Sequence, residues 1–387
     1  MSILMHNIVH KVKQFIKKET VLIAAWVLAV ISMFIVPPNA GYLAYIDIRS
    51  LGILWGLMVV MQGLKKNGLF EYIGLKLLAH TKHWWQLSAV LVFLCFFSGM
   101  LITNDVALIT FVPFGILMLK KVHQEQLLVP VIVLQTIAAN LGSMLTPIGN
   151  PQNLYLYGLS GMTLPQFLLN MLPYTLLSAV LLIAMLALLS VYRQRKSTAP
   201  LQEKSGDELP ETKAIWGPKV IIYLLLFVLA ILVVLRVLPY PVLVGVVFLV
   251  VLFMERKVLL QVDYALLLTF VGFFIFTGNM GQLPAVYDTL QSIVAGREIP
   301  VAILTSQCIS NVPAALLLSG FTTNYKALLI GVNLGGLGTL IASMASLISY
   351  KIYANDCGGN RRKYILCFTA ANILFLIVLI LFAYAVN

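Results

Sequence analysis

The sequence predicts an all-α polytopic membrane protein built from two inverted repeats, each with a re-entrant helical hairpin and a broken transmembrane helix. Three observations predict it. Hydrophobic residues make up 60% of the 387 and charged residues only 10%, a balance foreign to soluble domains. Eighteen residues recur: 140–157 reads NLGSMLTPIGNPQNLYLY and 333–350 reads NLGGLGTLIASMASLISY. Each copy follows an apolar hairpin with a polar middle, Thr103-Asn104-Asp105 in one and Ser310-Asn311-Val312 in the other. Internal repetition of this kind characterises secondary transporters.

The elements follow in chain order. Residues 1–19, with Lys11, Lys13, Lys17 and Lys18, predict an amphipathic segment on the cytoplasmic membrane surface. The apolar run at 21–36 is expected to be a retained helix, because Pro37 and Pro38 follow it where a signal peptide would carry a small-residue cleavage site. The first repeat is placed at 20–192, with its hairpin at 87–119 and its broken helix at 128–157. Residues 193–219 carry Pro200, Gly206, Pro210 and charges of both signs, which predicts a solvated cytoplasmic linker. A connecting helix is expected at 220–239. The second repeat then occupies 240–387, with its hairpin at 300–321 and its broken helix at 326–352.

Basic residues fix the expected orientation. Twenty-two of the 26 Lys and Arg fall in alternate loops, and only Arg49, Arg236, Arg297 and Lys326 fall in the others. The basic side is assigned to the cytoplasm. This predicts a cytoplasmic amino terminus, an external carboxyl terminus and residence in the plasma or inner membrane. The first hairpin lies between Lys82 and Lys120, the second between Arg297 and Lys326. They therefore enter from opposite faces.

The chemistry is expected where polar atoms are forced into the apolar layer. A backbone that turns inside a membrane leaves amides and carbonyls that helix bonding does not satisfy, and half-helix ends carry partial charges able to hold ions. Asp105 stands at a hairpin tip, where a charge costs at least about 2.5–3.5 kcal/mol and so faces a partner or a wet cavity. It is read as a carboxylate for Na+ or a proton; capping of the hairpin's second arm is compatible with that role. Pro147 and Pro151 break the first repeated segment. Gly335, Gly336 and Gly338 loosen the second, either to shape a site or to allow close packing. Ser343 and Ser346 stand there where Asn150 and Asn153 stand in the first.

The expected solute-binding residues are Thr103, Asn104, Asn150, Gln152, Asn153, Ser310, Asn311, Thr339 and Ser343. Those expected for the coupling ion are Asp105, Asn104, Thr146, Gly149, Asn311 and Gly335, with Na+ expected at the tips beside Asn104, Asp105 and Asn311.

Other chemistry is set aside. His6, His10, His80, His83 and His123 all lie in cytoplasmic or interfacial stretches, and Trp84 and Trp85 read as an interfacial anchor. Cys95, Cys308, Cys357 and Cys367 have no metal or disulfide spacing. The net charge of +12 is spread over loops, not gathered for nucleic acid. No phosphate-binding loop, zinc pattern or nucleophile motif occurs, so neither an enzyme nor a cofactor is expected.

With TND and SNV at two hairpins and GNPQN in the intervening broken helix, the chain resembles the ion transporter superfamily of arsenite permeases, NhaD-type sodium/proton antiporters, citrate transporters and divalent anion/sodium symporters. The resemblance covers residue 20 to the carboxyl end. It implies a homodimer with an elevator-like cycle, and carries the family's hairpin motifs onto Thr103, Asn104, Asp105, Ser310, Asn311 and Val312. Dicarboxylate symporters typically show Ser-Asn-Thr in both hairpins, a pattern that neither hairpin keeps here.

The expected function is ion-coupled secondary transport of a small anion or weak-acid solute, a carboxylate or an oxyanion, driven by Na+ or H+. A cation/proton antiporter of the same fold stands as the alternative, and an ion channel as the alternative from another class. A channel needs a continuous pore, whereas two pseudo-symmetric halves exchanging conformations make a carrier.

Overall fold

A computed structural model describes residues 19–78, 81, 83–194, 217–357 and 360–386. Nearly all of the amino-terminal segment at 1–19 and of the linker at 193–219 falls outside the described residues. Among those described, every regular element is a helix.

The chain opens with α1 (Thr20–Ile35) and the single turn α2 (Tyr42–Tyr45). Helices α3 (Ile48–Lys66) and α4 (Leu69–Leu78) lead to the hairpin arms α5 (Trp84–Ile102) and α6 (Asn104–Lys121). The first broken helix is α7 (Leu128–Ser143) and α8 (Pro151–Ser160), followed by the long α9 (Leu164–Gln194). After α10 (Pro218–Val234) and α11 (Tyr240–Glu255) the same order recurs. It comprises α12 (Tyr264–Gly281) and α13 (Pro284–Val294), the hairpin α14 (Glu298–Ile309) and α15 (Asn311–Leu318), the broken helix α16 (Tyr325–Leu334) and α17 (Met344–Asp356), and the long α18 (Arg361–Val386).

The recurrence extends to single residues. Asp47 caps α3 by accepting the Ser50 N–H at 3.0 Å, and Asp263 caps α12 by accepting that of Leu266 at 3.1 Å. In both cases a short carboxylate takes one of the amides a helix start leaves without a partner. Lys65 and Lys66 close α3, and Lys120 and Lys121 close α6, where positive charge suits the carbonyl end of a helix.

Among the described residues, six helices are long and apolar enough to cross a membrane. At about 1.5 Å per residue, 18–19 residues nearly match a hydrocarbon core of about 30 Å. The arms of the second hairpin, of 12 and 8 residues, fall well short. Lipid and protein faces separate clearly: the apolar window of α9 is 22% buried, whereas that of the helical stretch Glu125–Ser143, which contains α7, is 89% buried. Helix α7 is therefore the axis of its half. It is apolar on every side yet carries Gln135, Thr136, Asn140 and Ser143, all buried.

Gln135 fastens α7 to both arms of the first hairpin, its Nε2 donating to the carbonyls of Phe111 (3.1 Å) and Leu91 (3.4 Å). Close approach does the rest. A Cβ on Gly142 of α7 would stand 2.1 Å from the Phe96 carbonyl oxygen of α5, and one on Gly99 of α5 would stand 2.9 Å from that of Ala139.

The backbone contact at Gly142 is expected to reject even a methyl group. Gly142→Ala should cost about 1–3 kcal/mol or more through overpacking and lower both the thermal midpoint and the yield of monodisperse protein. Gly245→Ala, where nothing lies within 4 Å, should change neither.

Candidate functional site

Both hairpins turn in the same way, at one residue. Thr103 (φ 72°, ψ 148°) and Ser310 (φ 76°, ψ 154°) occupy a region essentially reserved for glycine. Holding a residue with a Cβ there costs about 1–3 kcal/mol. Immediately after each tip the backbone is tied to the broken helix of the same half. Asn104 N–H donates to the Gly149 carbonyl (3.2 Å), and Asn311 N–H donates to that of Ala342 (3.0 Å).

These bonds place helix starts together. Helix α6 starts beside the turn that caps α8 at Asn150, and α15 starts beside the turn that caps α17 at Ser343. Asn140 of α7 joins the two groups, because its Oδ1 accepts from Asn104 Nδ2 (2.9 Å) and from Ser343 Oγ (3.0 Å) while its Nδ2 donates to Ser346 Oγ (3.4 Å). Asn333 of α16 makes the reciprocal bond, Nδ2 to Asn153 Oδ1 of α8 at 2.7 Å. Four helix amino ends thus gather around linked amides and hydroxyls, each contributing partial positive charge. From this cluster α6 and α17 run to a contact between Lys120 Nζ and the Asp356 carbonyl (3.0 Å), and α8 and α15 run to one between Tyr155 and Ser319 (2.9 Å).

The expected residues fall into three groups. Asn104, Asn150, Asn153, Asn311 and Ser343 are buried in the cluster, with Asn150 Nδ2 donating to Ser143 Oγ at 2.6 Å. Asn153 Nδ2 gathers the carbonyls of Ser143, Met144 and Thr146 at 3.1–3.4 Å. Thr103, Ser310, Thr146, Gly149 and Gly335 shape the turns; Thr146 Oγ1 accepts from Gly149 N–H at 3.1 Å and donates to the Met100 carbonyl. Thr339 lies apart from the amides, exposed and bonded to Gln307 through its N–H at 2.9 Å. In the second glycine group Gly338 takes a positive φ (109°), and Gly335 packs so tightly that a Cβ would meet Ser306 Oγ at 2.6 Å.

Gln152 is fully buried with neither amide atom bonded, and Asn333 Oδ1 is buried without a donor. Asn140 Oδ1, its counterpart in the first half, receives a bond from the hairpin asparagine; in the second half that bond is missing. Asp105 is half-buried at the start of α6. Its N–H donates to Asn104 Oδ1 (2.8 Å), but its carboxylate has no hydrogen-bond or ion-pair partner among the described residues. No group of three His, Cys, Asp or Glu side chains suited to a metal gathers among the described residues.

Three contributors were not singled out by sequence reasoning. Asn140 and Asn333 open the repeated segments but sit in helical, apolar stretches. Gln307, three residues before the second tip, donates through Nε2 to the carbonyls of Gly335 (3.0 Å) and Leu337 (2.9 Å) and accepts from Thr339 N–H. It takes over bonds that the unwound backbone at 335–339 would otherwise lack. The usable signal was an amide side chain close to the tip of a short, largely apolar arm.

A two-half helical protein with this cluster invites comparison with known carriers, and the profile of the citrate transporter family matches residues 14–324. The chain belongs to the citrate transporter family. An uncharacterised transporter of Methanocaldococcus jannaschii is 31% identical over 343 residues, covering 87% of this chain and 90% of its own. The inner membrane protein YbiR of Escherichia coli is 32% identical over 334 residues, 84% and 85% of the two chains. A silicon efflux transporter of Oryza sativa is 34% identical over 150 residues, 38% of this chain and 30% of its own. The protein is thus a multi-pass membrane transporter and not an enzyme.

Relief of the strained tip should be measurable. Thr103→Gly should raise the unfolding free energy by up to about 1 kcal/mol, the smaller end of the strain range because glycine also frees the unfolded chain. Asn140→Ala should lower it by about 1–3 kcal/mol by orphaning buried partners. Chemical denaturation in a fixed detergent reads both.

Proposed function

We propose that this family member is an ion-coupled secondary transporter of a small anion or weak-acid solute, a carboxylate or an oxyanion, with the cluster around Asn104, Asn150, Asn153, Asn311 and Ser343 as its binding site. The convergence of four helix amino ends carries this reading, since such ends are matched to anions and to polar solutes that accept hydrogen bonds. The solute takes up the free amide donors and Gln152; backbone carbonyls and amide oxygens at the two tips, Asn333 Oδ1 among them, offer ligands for Na+.

Asp105 supplies the coupling. Two like charges about 4 Å apart repel by about 4 kcal/mol at an effective dielectric constant of about 20, nearly a thousandfold in affinity. An anion therefore binds well only when Asp105 has taken a proton or a Na+ shares the site. A solute entering as an undissociated weak acid meets less repulsion, and the relative named for silicon efflux fits that side of the range. The unpartnered carboxylate also favours a second reading, a cation/proton antiporter in which Asp105 alternates between ion and proton.

The transport cycle in this reading is that of two inverted halves working as an elevator, commonly as a homodimer. The basic ends of the helices face the cytoplasm, the amino terminus lies inside and the carboxyl terminus outside. The halves are residues 20–192 and 240–387, joined by the linker at 193–219 and a connecting helix at 220–239.

In proteoliposomes with imposed Na+ and H+ gradients, wild-type protein should accumulate one of a panel of carboxylates, oxyanions and weak acids. Asp105→Asn should abolish that accumulation while leaving insertion and folding intact; full accumulation by the variant would remove Asp105 from coupling. Exchange of Na+ for H+ with no solute flux would select the antiporter, and conductance that never saturates would select a channel. Cysteines replacing Lys120 and Thr323, both exposed, should label from opposite faces of the membrane in a background without native cysteines. Labelling from one face would contradict the inverted arrangement.

A further inference from the structure

Away from the amide cluster, the most strongly built charged feature joins the ends of three helices. Glu255, the last residue of α11, accepts from Lys66 Nζ at the end of α3 (2.8 Å) and lies 4.0 Å from Lys219 Nζ at the start of α10. Its other oxygen accepts from Asn67 Nδ2 and from the Tyr223 hydroxyl, both at 3.3 Å. One carboxylate therefore fixes two lysines. Arg256 and Lys257 follow it, exposed, and no acid pairs with either among the described residues.

These side chains border a pocket of about 500 Å³ lined by Lys66, Leu252, Phe253, Glu255, Arg256 and Lys257, with Met254. Three cations line it against one carboxylate, so the pocket suits an anion. Its other wall is apolar and open: Phe253 is 85% exposed, Leu249, one turn earlier on the same face of α11, is 54% exposed, and Leu252 beside them is 37% exposed. That face leads from the basic end of the helix into its apolar length. A free phosphate makes no use of it, whereas a lipid with an anionic headgroup uses both walls at once.

We propose that this pocket binds an anionic phospholipid of the surrounding leaflet, its phosphate held by Arg256 and Lys257 with Lys66 and Lys219 behind them, and its acyl chains lying along Leu249, Leu252 and Phe253. Glu255 acts as a positioning residue that holds Lys66 in the wall of the pocket, with Lys219 on its far side. The site is separate from the amide cluster and stands whether or not the reading of that cluster is right.

Purified full-length protein in neutral detergent tests this by thermal unfolding with added phosphatidylglycerol, phosphatidylcholine or inorganic phosphate, and by native mass spectrometry of retained lipid. Phosphatidylglycerol should raise the midpoint and remain bound in preference to phosphatidylcholine, while inorganic phosphate should do nothing. The double variant Arg256→Gln, Lys257→Gln should keep the midpoint seen in phosphatidylcholine and lose the phosphatidylglycerol shift. An equal shift with inorganic phosphate, equal retention of both lipids, or an undiminished shift in the double variant would each overturn the proposal. Should the double variant not fold, preferential retention by the wild type, compared with Lys219→Gln, decides the matter in the same way.

Discussion

Two backbone hydrogen bonds hold the centre of this protein together: Asn104 N–H to the Gly149 carbonyl, and Asn311 N–H to that of Ala342. Each joins a hairpin tip to the break in the neighbouring helix. Without water, a chain that turns inside an apolar layer has to satisfy its amides and carbonyls internally, and these bonds let two irregular segments satisfy each other. The strained residues Thr103 and Ser310 persist because both sides of each tip are fixed. Remove the constraint and neither turn has a reason to remain where four helix starts meet.

The two halves share this framework but differ in what fills it. In the first, Asn104 bonds to Asn140 and an acid follows at Asp105; in the second, the corresponding acceptor on Asn333 is empty and Val312 follows the tip. Tight backbone approaches at Gly99, Gly142 and Gly335 make the framework stiff, since none has room for a methyl group. The polar side chains that cross between halves, Asn140 to Ser343 and Ser346, and Asn333 to Asn153, make the cluster one unit. Whatever binds there acts on both halves.

Much of the architecture was legible in the sequence, for physical reasons. The hairpin tips showed as TND and SNV because a short polar cluster inside an apolar run marks a point where the backbone turns and must be satisfied locally. The breaks showed because Pro147, Pro151 and the glycines cannot continue a regular helix. The helix breaks at Ser143–Pro151 and Leu334–Met344 fall within the expected broken segments. Asn140, Asn333 and Gln307 were not legible as site residues. A buried amide on a helix looks the same in sequence whether it bonds its own helix, a neighbouring one or nothing. Thr339 is the converse: its place in the repeat put it among the candidates, yet its bonds to Gln307 hold it at the exposed side of the break.

By itself, the sequence determined that the chain lives in a membrane, that it is helical, that one pattern occurs twice and where each copy must turn. Those properties follow from composition, periodicity and the local chemistry of proline, glycine and short polar side chains, which act over a few residues. Only the tertiary structure decided which amides meet, that four helix starts share one cluster, that the Asp105 carboxylate has no partner among the described residues and that Glu255 draws Lys66 and Lys219 together. Those are contacts between residues far apart in the chain. They depend on how helices pack, which no local pattern encodes.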